Sequence, residues 1–151
     1  MTANIRPERL LIVADRTCPC PALIDLAHAT VRADGEVLVL APALNSRVRH
    51  WVSDTDAAVQ GARLRLADAL GALSHLGVRV HGEVGDADPL QAMRDALLRF
   101  RADAIIVSTH PVASSHWLER NLVDRARGAF AIPVTHLESK YGLAAAVVAA
   151  P

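Results

Sequence analysis

Three short runs constrain this chain most: Leu10-Leu11-Ile12-Val13-Ala14, Val37-Leu38-Val39-Leu40 and Ala104-Ile105-Ile106-Val107. Each is apolar without interruption. A strand with one wet face alternates apolar and polar residues, whereas a strand covered on both faces reads as a continuous run. Between the runs lie segments whose apolar residues recur every three or four positions, the helical period. Strand and helix patterns alternate to the C-terminus. That rhythm predicts an α/β domain with a parallel sheet between helical layers. Ligands of such sheets bind outside the carboxyl ends of the strands. Asp15 closes the first run and Ser108-Thr109-His110 closes the third, so these residues stand at the expected working edge.

The segments between the runs carry their own punctuation. Thr17 to Pro21 is a stiff loop, because each proline fixes its own φ and restrains its predecessor. A helix over about 21–33 follows, with Leu23, Leu26, Ala27 and Thr30 inward, and Asp34-Gly35 turns the chain. The second strand is Glu36 to Leu40. A longer connection, 41–52, carries Arg47, Arg49, His50 and Trp51, and loops of this length in a compact domain are often functional. Ser53 caps a helix whose inward residues are Val59, Ala62, Leu66, Leu70 and Leu73, and Gly77 stops it. Val78, Val80 and Val84 mark a third strand, less buried because His81 and Glu83 alternate with them.

Asp88-Pro89-Leu90-Gln91 is a helix start, with Asp at the cap, Pro at the first position and Gln at the third. Leu90, Met93, Leu97 and Phe100 form its buried stripe. The fourth strand spans about 103–108. A helix over 115–128 follows, capped by Ser114 or Ser115, with Leu118, Leu122 and Ala126 inward and Gly128 at its end. Residues 133–137 form a fifth strand, expected at an edge because proline is tolerated at a strand start there. The reading is one domain over 8–138 and a C-terminal tail over 139–151.

Composition removes several function classes. Lys and Arg together number 16, as do Asp and Glu, so no basic excess points to nucleic acid and none to a membrane surface. Five aromatic residues are too few and too scattered for a stacking platform. The polar start, Met1 to Arg9, has no signal-peptide pattern. The apolar tail Ala144–Ala150 is far shorter than the roughly 18 residues of a membrane span. A soluble cytoplasmic chain is the expectation. Cys18 and Cys20 are separated by one proline, too close for a relaxed disulfide, and read as free thiols. Motifs for dinucleotide binding, a P-loop, a nucleophile elbow and a zinc protease are all missing, so the chain is expected to be non-catalytic.

Five strands and four helices in this order, with Asp15 after the first strand, resemble the universal stress protein family. Gly85-Asp86-Ala87-Asp88-Pro89 looks like the family's Gly-Asp-Pro entry to its third helix. Arg101-Ala102-Asp103-Ala104-Ile105-Ile106-Val107 looks like its fourth strand, and Ile132-Pro133-Val134 like its closing Cys-Pro-Val. The likeness covers about residues 8–138. It implies a three-layer αβα, Rossmann-like fold with strand order 3-2-1-4-5, and a homodimer held partly by the last strand near 133–138. In one branch of the family it also implies ATP bound at the tips of strands one, two and four, with an Asp at the position of Asp15 on the nucleotide.

The chain departs from that branch where the phosphates would sit. The family's loop after strand four is glycine-rich, but no glycine lies between Gly85 and Gly128 here. Glycines let backbone N–H groups approach phosphate, and Pro111 removes a donor. Alignment from Pro133-Val134 places Arg120-Asn121 at the family's final Gly-Ser pair. The candidate crevice therefore consists of Asp15, Arg16, Ala41, Ser108, Thr109, His110, Arg120 and Asn121, with arginine forks in place of backbone donors. An adenine nucleotide such as ATP is its candidate ligand, held less strongly than on a glycine loop. Two alternatives stand beside this. Cys18, Cys20, His110 and His116 suit tetrahedral zinc by type, but Cys-x-Cys is tighter than the usual spacing. A chain without nucleotide would instead be a protein-interaction module. His28, His50, His75, His81 and His136 read as surface or core filler.

Overall fold

The computed structural model describes residues 6–14, 21–42, 54–86, 88–109, 121–138 and 146–148. Expectations that fall elsewhere, among them the 41–52 connection beyond Pro42 and the serine caps at 53, 114 and 115, lie outside the described residues. The strands are β1 (Arg9–Ala14), β2 (Glu36–Pro42), β3 (Arg79–Gly85), β4 (Ala104–Thr109), β5 (Val134–Glu138) and β6 (Ala146–Val148). The helices are α1 (Pro21–Thr30), α2 (Asp54–Leu73), α3 (Pro89–Arg99) and α4 (Leu122–Ala129), with a 3-10 turn at Ser74–Leu76.

The sheet order is β3-β2-β1-β4-β5-β6. The first five strands are parallel in the order 3-2-1-4-5, and β6 adds on antiparallel. This is the expected three-layer α/β, Rossmann-like architecture. The continuous apolar runs occupy the middle of the sheet. Leu10, Ile12, Val37, Val39 and Ile106 meet α1 and α2 through Leu23, Ala27, Ala69 and Leu73. Their neighbours Leu11, Val13, Leu38, Leu40, Ile105 and Val107 point the other way, toward Leu90, Met93, Leu122 and Ala126 of α3 and α4. Alternation of side chains between the two faces produces both cores from one run.

Local signals set most element ends. Gly77 closes the 3-10 turn at φ 74°, a left-handed conformation that glycine adopts without a Cβ penalty. Asp88 caps α3, its Oδ1 accepting from the Leu90 N–H at 3.0 Å, and Pro89 fills the first position. Gln91 does not complete a capping box. Its Nε2 donates instead to Asp95 Oδ1 at 2.9 Å, one turn on. The stripe of α3 lies inward as its spacing requires, with Leu90 and Met93 buried and Leu97 and Phe100 packed against them. β3 is half-exposed along its length, as its alternation predicts.

Three expectations change. α4 begins only at Leu122, behind the left-handed Asn121 that breaks the expected 115–128 helix, and runs through Gly128 to Ala129, with the Phe130 N–H still bonded to Ala126 O. α1 ends at Thr30, where its hydroxyl donates back to Leu26 O at 2.6 Å. Most consequential, β5 is not the edge of the sheet. Part of the tail pairs with it as β6: Glu138 opposite Ala146, Leu137 opposite Val147, His136 opposite Val148. Three apolar residues are too short a run to declare a strand on their own.

Candidate functional site

Parallel pairing brings the carboxyl ends of the strands side by side. Ala14 ends β1 opposite Ser108 of β4, Val13 pairs with Leu40 of β2, and Thr109 ends β4 opposite Glu138 of β5. β1 sits between β2 and β4, so the chain leaves its first strand in one direction and later returns on the other side. That reversal is the switch point at which open α/β sheets form a crevice.

Of the eight candidate residues, four are described. Ala41 and Ser108 are buried near the ends of β2 and β4. Strand alternation puts both, with Ala14, on the α1–α2 side of the sheet. Thr109, also buried, turns to the α3–α4 side. Asn121 precedes α4 in the left-handed region at φ 52° and is exposed, its side chain making no cap hydrogen bond. Asp15, Arg16, His110 and Arg120 lie outside the described residues, as do Cys18, Cys20 and His116 of the zinc alternative. Among the described residues no cluster of His, Cys, Asp or Glu has the grouping of a metal site.

The polar group that sequence reading passed over is His136. It is 7% exposed, and its Nε2 lies 2.6 Å from the Thr109 hydroxyl. The pair joins adjacent strands close to their carboxyl ends. Burial lowers the pKa of His136 by disfavouring the charged ring; Glu138 opposes this, Arg127 adds to it and Asp124 opposes it. A faint signal did exist. His136 stands two residues after Val134, so once Val134 faces the core the imidazole must face inward too.

The carboxylates at the β3 end have local structural duties. Asp86 Oδ1 accepts from the Asp88 N–H at 2.9 Å, and Asp88 caps α3. A third carboxylate, Asp103, belongs to the opposite end of the sheet. Its Oδ2 accepts the N–H groups of Glu8 and Arg9 at 3.1 and 3.0 Å, and its own N–H donates to Arg9 O. The Ala-Asp pair before the fourth strand therefore fastens β1 to β4.

No protein-family model matches the chain, and no curated protein matches it in sequence.

Proposed function

We propose that the chain is a universal stress protein-like, non-catalytic binding domain that takes a small phosphorylated ligand, an adenine nucleotide first among candidates, in the crevice at the ends of β1, β2 and β4. The observation that carries this reading is the switch point itself: Ala14, Ala41 and Ser108 line one side of three adjacent strand ends. All three side chains there are small, and Asp15 follows Ala14 directly in the chain. Asp15 contacts the ligand in this reading, while Arg16, His110, Arg120 and Asn121 take the place of the missing glycine loop. The domain works as a homodimer in the cytoplasm. No described helix is long and apolar enough to cross a membrane.

Native mass spectrometry of the protein as purified, then after addition of ATP, tests this reading. A nucleotide mass on each subunit is expected. The Asp15→Ala protein is expected to bind about 10- to 100-fold more weakly, the loss of one hydrogen bond involving a charged group. Unchanged affinity would remove Asp15 from the site.

A second reading, a nucleotide-free interaction module, draws on one specific observation. The Thr109 hydroxyl is buried and engaged by His136 rather than open to a ligand. Absence of ATP binding at millimolar concentration would favour it.

A further inference from the structure

β6 is attached to the sheet through three residue pairs, all on one stretch of β5, from His136 to Glu138. It ends the strand order, so among the described strands β5 is the one it pairs with. On its other side β5 pairs with β4, and there the Thr109 hydroxyl meets the His136 ring at 2.6 Å. Besides its ladder to β4 and the buried Leu137, one buried side-chain hydrogen bond therefore ties down the same three-residue stretch on which β6 depends.

We propose that the Thr109–His136 hydrogen bond is an acid-sensitive latch, and that proton uptake by His136 releases the end of β5 and with it β6.

The physical argument begins with the buried ring. A neutral imidazole fits a buried place beside a hydroxyl, because each can donate or accept as the other requires. An imidazolium there lacks the water that would stabilise its charge. Among the described residues the groups around it do not compensate. β4 contributes the uncharged Val107 and Thr109, and β6 has no ionisable side chain. Glu138 on β5 and Asp124 on α4 favour the charged ring, Arg127 on α4 opposes it, and burial prevails over all three. Arg127 is itself held in place, donating from Nε and Nη2 to Val134 O at 3.3 and 3.2 Å.

A ring that cannot be protonated comfortably in place is protonated when it swings into water. That movement removes one of the ties on the end of β5 and weakens its pairing with β4, and β6, which among the described strands pairs with β5 alone, opens with it. Short terminal elements with few pairings open at the least free energy. The inference stands whether or not the crevice binds a nucleotide.

Residue-resolved amide exchange between pH 8 and 5.5, corrected for intrinsic exchange rates, tests the latch. The opening constant at 136–138 and 146–148 is expected to rise by as much as tenfold per pH unit below about 6.5, the ordinary histidine value. Opening of β1 is expected to rise less. In the His136→Gln protein, whose amide still reaches for Thr109 but does not titrate in this range, the pH dependence at β6 is expected to vanish. Exchange at β6 that is independent of pH overturns the latch, as does an unchanged pH dependence in H136Q. Parallel opening of β1 and β6 overturns it too, because global unfolding then accounts for the effect. Should H136Q fail to fold, the ring of His136 is titrated by NMR in the natural chain. Coincident midpoints for the ring and for the β6 amides support the latch, and separated midpoints overturn it.

Discussion

The two ends of the sheet solve the same problem with different chemistry. At the amino end, Asp103 gathers the N–H groups of Glu8 and Arg9. Glu36 faces Arg9 at 4.0 Å, Arg79 at 3.8 Å and His81 at 2.9 Å. Arg32 pairs with Asp34 through two hydrogen bonds. The arginines and carboxylates among these groups are charged, and most of the cluster is exposed to water. At the carboxyl end Asp86, Asp88 and Glu138 reach solvent, but the polar side chains buried beneath them are uncharged or neutralised by burial: Ser108, Thr109 and His136. The contrast shows that many charges in water make an end tolerant, whereas a few polar groups out of water make it sensitive. An exposed ion pair is worth about 0–1 kcal/mol and weakens with salt. A buried polar atom that loses its partner costs about 1–3 kcal/mol.

Four substitutions or conditions test that contrast. Thr109→Val keeps the shape of the side chain and removes the hydroxyl facing His136 Nε2. It is expected to destabilise the fold by about 1–3 kcal/mol, measured by urea denaturation. A change of only a few tenths would break the comparison.

Acidification comes next in size and acts at the carboxyl end. His136 has a lowered pKa in the folded chain, so as the pH falls through about 6.5 the unfolded chain takes up its proton first. The stabilisation is complete above that value and is lost as pH falls toward the lower folded value. Denaturation midpoints at pH 8 and 5.5 are expected to differ more in the natural chain than in H136Q, and equal differences would assign the effect to other groups.

At the amino end, Gly35→Ala sharpens the contrast by introducing packing strain in place of a charge change. A Cβ there meets the Glu8 carbonyl oxygen at 2.7 Å and Val31 Cγ2 at 2.6 Å. Backbone must shift, at a cost of about 1 kcal/mol or more, read as a lowered melting temperature. Glu36→Gln has the smallest expected effect, below about 1 kcal/mol and shrinking further in 1 M salt. A larger, salt-independent loss would show that the amino end depends on its charges after all.

Much of the fold was legible in the chain because its signals are local. Val37-Leu38-Val39-Leu40 announces a strand covered on both faces by its own composition. Asp88-Pro89 announces a helix start because the capping oxygen and the missing proline donor act within one turn. The site was legible only as a location. Ala41 and Ser108 do flank the end of β1 on one side of the sheet, but Thr109 turns to the other layer, and neither its partner nor the importance of His136 follows from a local pattern. An imidazole 27 residues away reaches Thr109 only because β4 and β5 pair in a register where Val107 lies opposite His136.

β6 makes the same point at the edge. Ala146-Val147-Val148 has too little length to declare a strand, and it becomes one only against β5. Its presence also means that a homodimer built on the last strand would have to accommodate β6 or pair through it.

The sequence by itself therefore determined which segments are strands and helices, that the sheet is buried on both faces, and that its polar residues gather at strand ends. These properties follow from side-chain period, turn chemistry and apolar content, all of which act over a few residues. Tertiary structure alone decided that Thr109 and His136 form a buried pair, that Asp103 fastens β1 to β4, and that the tail closes the sheet. Those outcomes depend on the register between strands far apart in the chain, and register is settled by the simultaneous packing of both faces rather than by any one segment.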